Sequence, residues 1–350
     1  MNMNLHQPAV SKKGLLAQYL ARGSLLSSLG RLRNSWITDI PILAYHRVLD
    51  VDDEETFPFD VELVSASTKD FAWQMEYVRL NFTPITCAHL QEILEGSRPA
   101  PPRPIVITFD DGYEDNYENA FPILAALGVP ATIFVSTGFI GADSTFWHDR
   151  LAYVVLNAPP VTFFVSPLEM TVNLAGDKSA RRKELTRILK ALKRVRNSLR
   201  LEALKIIERE AGSPTREMPF YLAKPMTWAQ VREMSAGGIE FGSHTVTHPI
   251  LSQLEDTELW KELTESKRVL EEHIDRPVDT ISYPVGGPTA FDARVRHMAR
   301  SAGYKLGFSY IPGTNRLPVS DPFSLRRLHT ERYTDRAYFS AMLTLPELFQ

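Results

Sequence analysis

Pro104-Ile-Val-Ile-Thr-Phe-Asp-Asp-Gly112 is a short apolar run that ends abruptly in two adjacent carboxylates and a glycine. Six residues without polar alternation read as a buried strand. A second segment, Ser243-His-Thr-Val-Thr-His-Pro249, follows another strand-like run, Ile239-Glu-Phe-Gly-Ser243. Its His244 and His248 stand four residues apart, so one helical turn would put both imidazoles on one face. Each segment alone has an ordinary explanation: Asp and Gly make turns and caps, and nine histidines make a pair at this spacing unremarkable. Together, each directly after a strand, they read as a metal hydrolase. One aspartate and two histidines make a ligand set for a divalent cation with open positions, and the spare aspartate is free to act as a base.

Thr108-Phe-Asp-Asp-Gly112 and His244-Thr-Val-Thr-His-Pro249 resemble the first two motifs of the polysaccharide deacetylases, the NodB-homology or carbohydrate esterase 4 group. Ile281-Ser-Tyr-Pro-Val-Gly286 resembles a reduced third motif and Leu328-His329 the last. Tyr45-His-Arg-Val48 resembles the opening of the subgroup found with exopolysaccharide biosynthesis genes. The resemblance spans about Ile42 to Thr330. It implies Asp110 as general base, Asp111, His244 and His248 as metal ligands, and His329 as the acid that protonates the leaving amine. The Val285 amide, beside Tyr283 and Pro284, would help to hold the oxyanion. Two departures stand out. Ser282 occupies the place of the family's third-motif arginine, which leaves nothing to orient Asp110, and Val285 replaces a tyrosine. The fourth motif has no clear counterpart; Ser309-Tyr310 is the nearest.

From Pro41 the chain alternates apolar runs with helical patterns. Strands are predicted at Ile42–Tyr45, Ile105–Phe109, Thr132–Val135, Ile239–Gly242, Thr280–Tyr283, Leu306–Ser309 and Ser324–Leu328. Helices are predicted over 70–80, 87–95, 116–127, 227–236, 255–274, 291–302 and 335–344. Seven strands without a dinucleotide glycine fingerprint point to an α/β fold, a distorted (β/α)7 TIM-like barrel at 41–345 with a helical insert at about 145–226. In such barrels active residues sit where strands end, as His46, Asp110, Asp111, His244, Tyr283 and His329 do.

Within the insert, Lys178 to Arg200 carries ten basic residues against one acid, Glu184. Leu185, Ile188, Leu189, Leu192, Val195 and Leu199 recur at helical spacing, so the stretch reads as one amphipathic basic helix covering the barrel, with anionic lipid or acidic polysaccharide as alternative contacts. It lacks interleaved aromatics, which argues against nucleic acid. Trp147, in Phe146-Trp-His148, suits a pocket wall or the core. His89, His148, His273 and His297 read as structural.

At 350 residues and a net charge of -3, the chain can bury a large core and shows no bias toward polyanions. One cysteine, Cys87, excludes an internal disulfide. Residues 1–40 read as an amphipathic helical segment through Leu15, Leu16, Tyr19, Leu20 and Leu26, flanked by Arg22, Arg31 and Arg33. The expectation is a helix packed on the barrel, or a reversible membrane-surface contact. With no Ala-x-Ala cleavage site and no apolar stretch near the roughly 20 residues of a membrane span, the expected location is the cytoplasm. The expected reaction is metal-dependent removal of an N-acetyl group from a carbohydrate, with zinc, cobalt, nickel or manganese as the metal. O-deacetylation, cyclic-amide hydrolysis and non-catalytic glycan binding are the alternatives.

Overall fold

The computed structural model describes residues 11–22, 25–34, 36–212 and 218–349. Residues 1–10 of the N-terminal segment and 213–217 of the insert, both within the predicted boundaries, lie outside the described residues.

Seven parallel strands form the centre: β1 (Ile42–Tyr45), β2 (Pro104–Phe109), β3 (Thr132–Val135), β4 (Glu240–Ser243), β5 (Thr280–Ser282), β6 (Leu306–Pro312) and β7 (Leu325–His329). Neighbours follow chain order, and β7 pairs back onto β1 through Leu328↔Leu43 and His329↔Ala44, so the sheet closes into a barrel. Thr83–Pro84 adds a short parallel edge to β2. β2 is buried along its whole length, as its unbroken apolar run requires. Tyr45 pairs with Phe109, so β1 and β2 finish at one level, and β3 runs two residues past Ile133, the partner of Phe109. Gly242 permits a close approach here, because a Cβ would meet Phe134 and Thr280 at 2.5 Å.

Helices α1 (Lys12–Leu20), α2 (Leu25–Asn34), α3 (Thr68–Asn81), α4 (Cys87–Leu94) and α5 (Phe121–Leu127) precede the insert. The insert carries α6 (Trp147–Asn157), α7 (Lys178–Leu192) and α8 (Asn197–Glu210). The outer layer resumes with α9 (Trp228–Ala236), α10 (Asp256–Ile274), α11 (Ala293–Ser301) and α12 (Arg336–Thr344). Local chemistry sets these boundaries. Ser67, Thr86, Asp292 and Asp335 accept hydrogen bonds at the N-termini of α3, α4, α11 and α12, and Thr227 with Gln230 closes a capping box on α9. The predicted helix 116–127 opens with a π-helical turn, Asn116–Ala120, which lets the buried Asn116 Nδ2 donate to the His46 carbonyl at 2.8 Å.

Two predicted helices are interrupted. The basic stretch Lys178–Arg200 is parts of two helices, α7 and α8, divided at 193–196, and Arg181 and Arg200 are buried within them. Together with α6 and the hairpin Thr162–Val165/Met170–Asn173, they enclose a core of their own that includes Val155, Val172, Ile188 and Leu204. The N-terminal segment is likewise two helices, and among the described residues of these helices the buried hydrophobics are Ala17, Leu20 and Leu26.

Candidate active site

Immediately after β2 the backbone turns through left-handed conformations at Asp111 (φ 75°) and Gly112 (φ 91°). After β4 the segment 244–250 is an irregular loop, with Thr245 at φ 70° and His248 at φ 56°. The single helical turn expected for the two histidines is therefore absent, yet the loop still brings their rings within 4.9 Å. Hydrogen bonds hold this strained path. Glu262 of α10 accepts from the Val246 and Thr247 amides at 2.7 and 3.0 Å, and Thr245 Oγ1 accepts from the His248 amide at 3.1 Å. Val285, beyond β5, is also left-handed at φ 64°, a costly conformation for a β-branched residue. Strain of this kind gathers where the loops meet.

Asp111 Oδ1 lies 3.2 Å from His248 Nε2 and 3.5 Å from His244 Nε2, and all three residues are buried. One ligand atom from each falls within 4.8 Å of the others. The 3.2 Å contact lacks hydrogen-bond geometry, so Asp111 Oδ1 is buried without a hydrogen-bond partner. His244 Nδ1 contacts the Ser282 carbonyl at 2.7 Å, which assigns the proton to Nδ1 and leaves the Nε2 lone pair pointing at the aspartate. A buried carboxylate oxygen facing two imidazole nitrogens is costly unless a cation joins them. The donor set fits a divalent metal ion of the zinc type.

Asp110 is held from an unexpected direction. Arg327 of β7 is fully buried, and its Nη1 and Nη2 donate to the two Asp110 oxygens at 2.8 and 2.6 Å. The same guanidinium donates to the Ser309 carbonyl at 2.7 Å, to Ser282 Oγ at 3.0 Å and to Thr108 Oγ1 at 3.2 Å. The vacancy read at Ser282 is thus filled from another strand, and Ser282 is small enough to admit it. Burial pushes the Asp110 carboxyl up, but Arg327 and then His244 hold it down at about 2. Burial likewise raises Asp111, yet adjacent His248 keeps it well below the ordinary carboxylate range. Burial lowers His244 to about 4, so it stands neutral, as a ligand must.

A cavity of about 310 Å³ opens over this group. Asp110, Asp111, His244, His248, His46, Trp147, Tyr283 and Val285 all line it. Trp147 is fixed by a 3.2 Å bond from its Nε1 to the His248 carbonyl and by the Arg200 guanidinium, 4.8 Å over its ring. Tyr283 is mainly a prop, since its hydroxyl donates to the Phe323 carbonyl at 3.0 Å and its ring stacks on Phe291. Pro284 is buried and His329 half-buried, and neither is among the lining residues. The His329 ring is stacked on Tyr310, 3.6 Å between centroids, and its Nε2 has no hydrogen-bond partner. Burial, then Arg327, lowers it to about 3.

Several lining residues escaped the sequence reading. His148, expected to be structural, lines the cavity with its ring 5.3 Å from that of His248. Its Nε2 meets the Tyr113 hydroxyl at 2.9 Å, and Tyr113 donates to the buried Asp149 at 2.8 Å. Burial drives the Asp149 carboxyl up to about 7. Leu189 and Lys193 reach in from the insert, beside Asp60, Glu62 and Leu63 from the loop before α3. Their only local signal was a helical stripe, which does not say what it covers. For Arg327, the signal was a charged residue at an inward strand position between Leu325 and Leu328. A larger hollow of about 540 Å³, near Arg316 and Pro318, contains none of these groups.

Comparison with known proteins identifies the family and the fold. The model of a family described as polysaccharide deacetylase matches residues 97–307. YxkH of Bacillus subtilis (strain 168), whose name assigns it to the same activity, is 22% identical over 275 residues, covering 78% of this chain and 65% of that protein. The poly-beta-1,6-N-acetyl-D-glucosamine N-deacetylase of Escherichia coli (strain K12) is 36% identical over 89 residues, covering 25% of this chain and 12% of that enzyme. The chain therefore spans less than two thirds of the length of either relative. The solved Streptococcus pyogenes deacetylase PplD, in complex with acetate, has the same fold, with a TM-score of 0.56 at 20% identity over 84% of this chain and 93% of that one.

Proposed function

Since the chain belongs to the polysaccharide deacetylase family, we propose that it is a metal-dependent hydrolase that removes N-acetyl groups from a carbohydrate and releases acetate. The observation that carries this reading is the orphaned Asp111 oxygen facing His244 and His248, one residue from a carboxylate clamped by arginine.

In the proposed mechanism, Asp111, His244 and His248 hold the metal, with zinc the best match to the donors. Bound there, a divalent cation supplies Lewis acidity, lowering the pKa of coordinated water and polarising the acetyl carbonyl. Asp110, kept ionised by Arg327, takes the proton of the attacking water. The Arg327 fork spans both Asp110 oxygens, which fixes the carboxylate plane and the direction of proton transfer. The Val285 amide serves as a donor for the developing oxyanion, a role supported by the residue's position at the cavity lining. His329 delivers a proton to the departing amine. With its pKa near 3 it is neutral beforehand, so it passes on a proton received within the site, and Tyr310 must yield for it to reach the substrate. His46 and Trp147 contact the sugar, and Leu189 and Lys193 of the insert set what the mouth admits.

The substrate class follows from the relatives named for N-acetylglucosamine polymers, namely a glycan or glycan precursor that carries N-acetylated hexosamine. The test is acetate release from N- and O-acetylated oligosaccharides by metal-stripped protein reconstituted with zinc, cobalt, nickel or manganese. Metal-dependent release from the N-acetylated series, lost in Asp110→Asn, supports the assignment. Stoichiometric metal binding with no release from any substrate refutes it.

A further inference from the structure

Helix α1 has two unlike faces. Ala17 and Leu20 are buried, while Leu15, Leu16 and Tyr19 are 57, 40 and 64% exposed. The 3.6-residue period puts these three side chains, together with Lys12, on the outer side of the helix. Leu25 on α2 and Trp36 just beyond it are also exposed, at 41 and 84%, and both helices pack on α12. The surface is anchored. Gln18 Nε2 donates to Asp335 Oδ2 at 3.2 Å, and Arg33 of α2 pairs with Asp39 at 2.6 Å and Glu347 at 2.8 Å. Five outward apolar side chains on ordered backbone, two of them aromatic, make a patch that a water-facing surface does not need.

The charge around the patch identifies what it fits. The first acidic residue of the chain is Asp39, and before it stand Lys12, Lys13, Arg22, Arg31 and Arg33. The chain as a whole is net negative at -3, so positive charge is concentrated at this end. We propose that the outer face of α1 and α2 is a docking surface for an anionic lipid bilayer, with Leu15, Leu16, Tyr19, Leu25 and Trp36 entering the interface and the exposed Lys12, Arg22 and Arg31 meeting the headgroups. No described helix is long and apolar enough to cross a membrane, so the contact is peripheral. Docking does not depend on the deacetylase reading.

The experiment is co-sedimentation of the full chain with phosphatidylcholine vesicles, with and without about a quarter phosphatidylglycerol, at low and high salt. Binding to the anionic vesicles that weakens with salt is expected, with at least a tenfold loss in a combined Leu15→Gln, Leu16→Gln, Tyr19→Ser variant. Thermal unfolding and solution acetate release of that variant should match wild type. Trp36→Ser, outside both helices, provides a second variant should the first unfold, and it should weaken binding several-fold. Failure of wild type to bind anionic vesicles overturns the proposal, as does a folded triple variant that binds equally well. A wild-type dimer dissolved by the triple substitution also overturns it, because a second copy would then cover this face.

Discussion

Removing Arg327 should do more damage than removing any other residue that touches neither the metal nor the substrate. Arg327 is 0% and Asp110 2% exposed, so the pair has no solvent screening, and two bonds of 2.8 and 2.6 Å join it. Arg327→Met leaves a buried carboxylate without its counter-charge, a change that costs about 3–5 kcal/mol. With an unfolding entropy of about 2.1 cal/mol/K per residue, 1 kcal/mol is worth ~1.4 °C in a chain of this length, so the melting temperature should fall by ~4–7 °C. The pair's own share comes from Asp110, which is held at about 2 against an ordinary 3.8. That difference corresponds to roughly 2 kcal/mol, a lower bound because burial alone would push this carboxyl above its ordinary value. The sign follows from linkage. A folded-state pKa below the unfolded one gives stability that is present above about pH 4 and is lost as pH falls toward 2. In Arg327→Met that acid loss should flatten. The assay is urea unfolding of metal-stripped wild type, Arg327→Met, Asp110→Asn and the double variant, from pH 7 to pH 2.5. A coupling energy of about 2 kcal/mol or more is expected at neutral pH. Coupling below ~0.5 kcal/mol, with additive single costs, would refute the claim that this pair is what holds Asp110 ionised.

Asp110→Asn should lower acetate release by about 10²–10⁴-fold while leaving bound metal unchanged by elemental analysis, because Asp110 serves as base and not as ligand. Asp111→Asn and His248→Ala should instead lose metal, and with it the thermal stabilisation of about 2.7 kcal/mol expected when free zinc is 100-fold above its dissociation constant. Lys193→Ala should raise KM with kcat nearly unchanged in steady-state kinetics on N-acetylated oligosaccharides, since the insert touches the mouth of the cavity and not the reacting group. His329→Gln should lower kcat on amide substrates more than on O-acetyl esters, whose leaving group needs less help from an acid; equal losses would remove His329 from that role.

Read alone, the sequence determined most of the elements and pointed to the Asp/His/His group. Strands β1 to β7 were legible because parallel strands covered on both faces leave unbroken apolar runs, and their ends were legible because Asp110-Asp111-Gly112 and Ser243-His244 interrupt those runs sharply. That one of the two aspartates could join His244 and His248 followed from strand ends and donor chemistry, whereas the choice of Asp111 over Asp110 came from the resemblance to the polysaccharide deacetylases. Tertiary structure decided everything that depends on which distant side chains share a volume. Arg327 stands 217 residues from Asp110, and no local pattern distinguishes an inward arginine that meets a carboxylate from one that reaches solvent. His148 and Lys193 belong to an insert with its own core, whose periodicity reports burial but not the neighbour responsible. The outward turn of Leu15, Leu16 and Tyr19 was hidden for the same reason. An apolar stripe shows that a helix prefers to leave water, but only packing shows that Ala17 and Leu20 took the barrel side and left the rest uncovered.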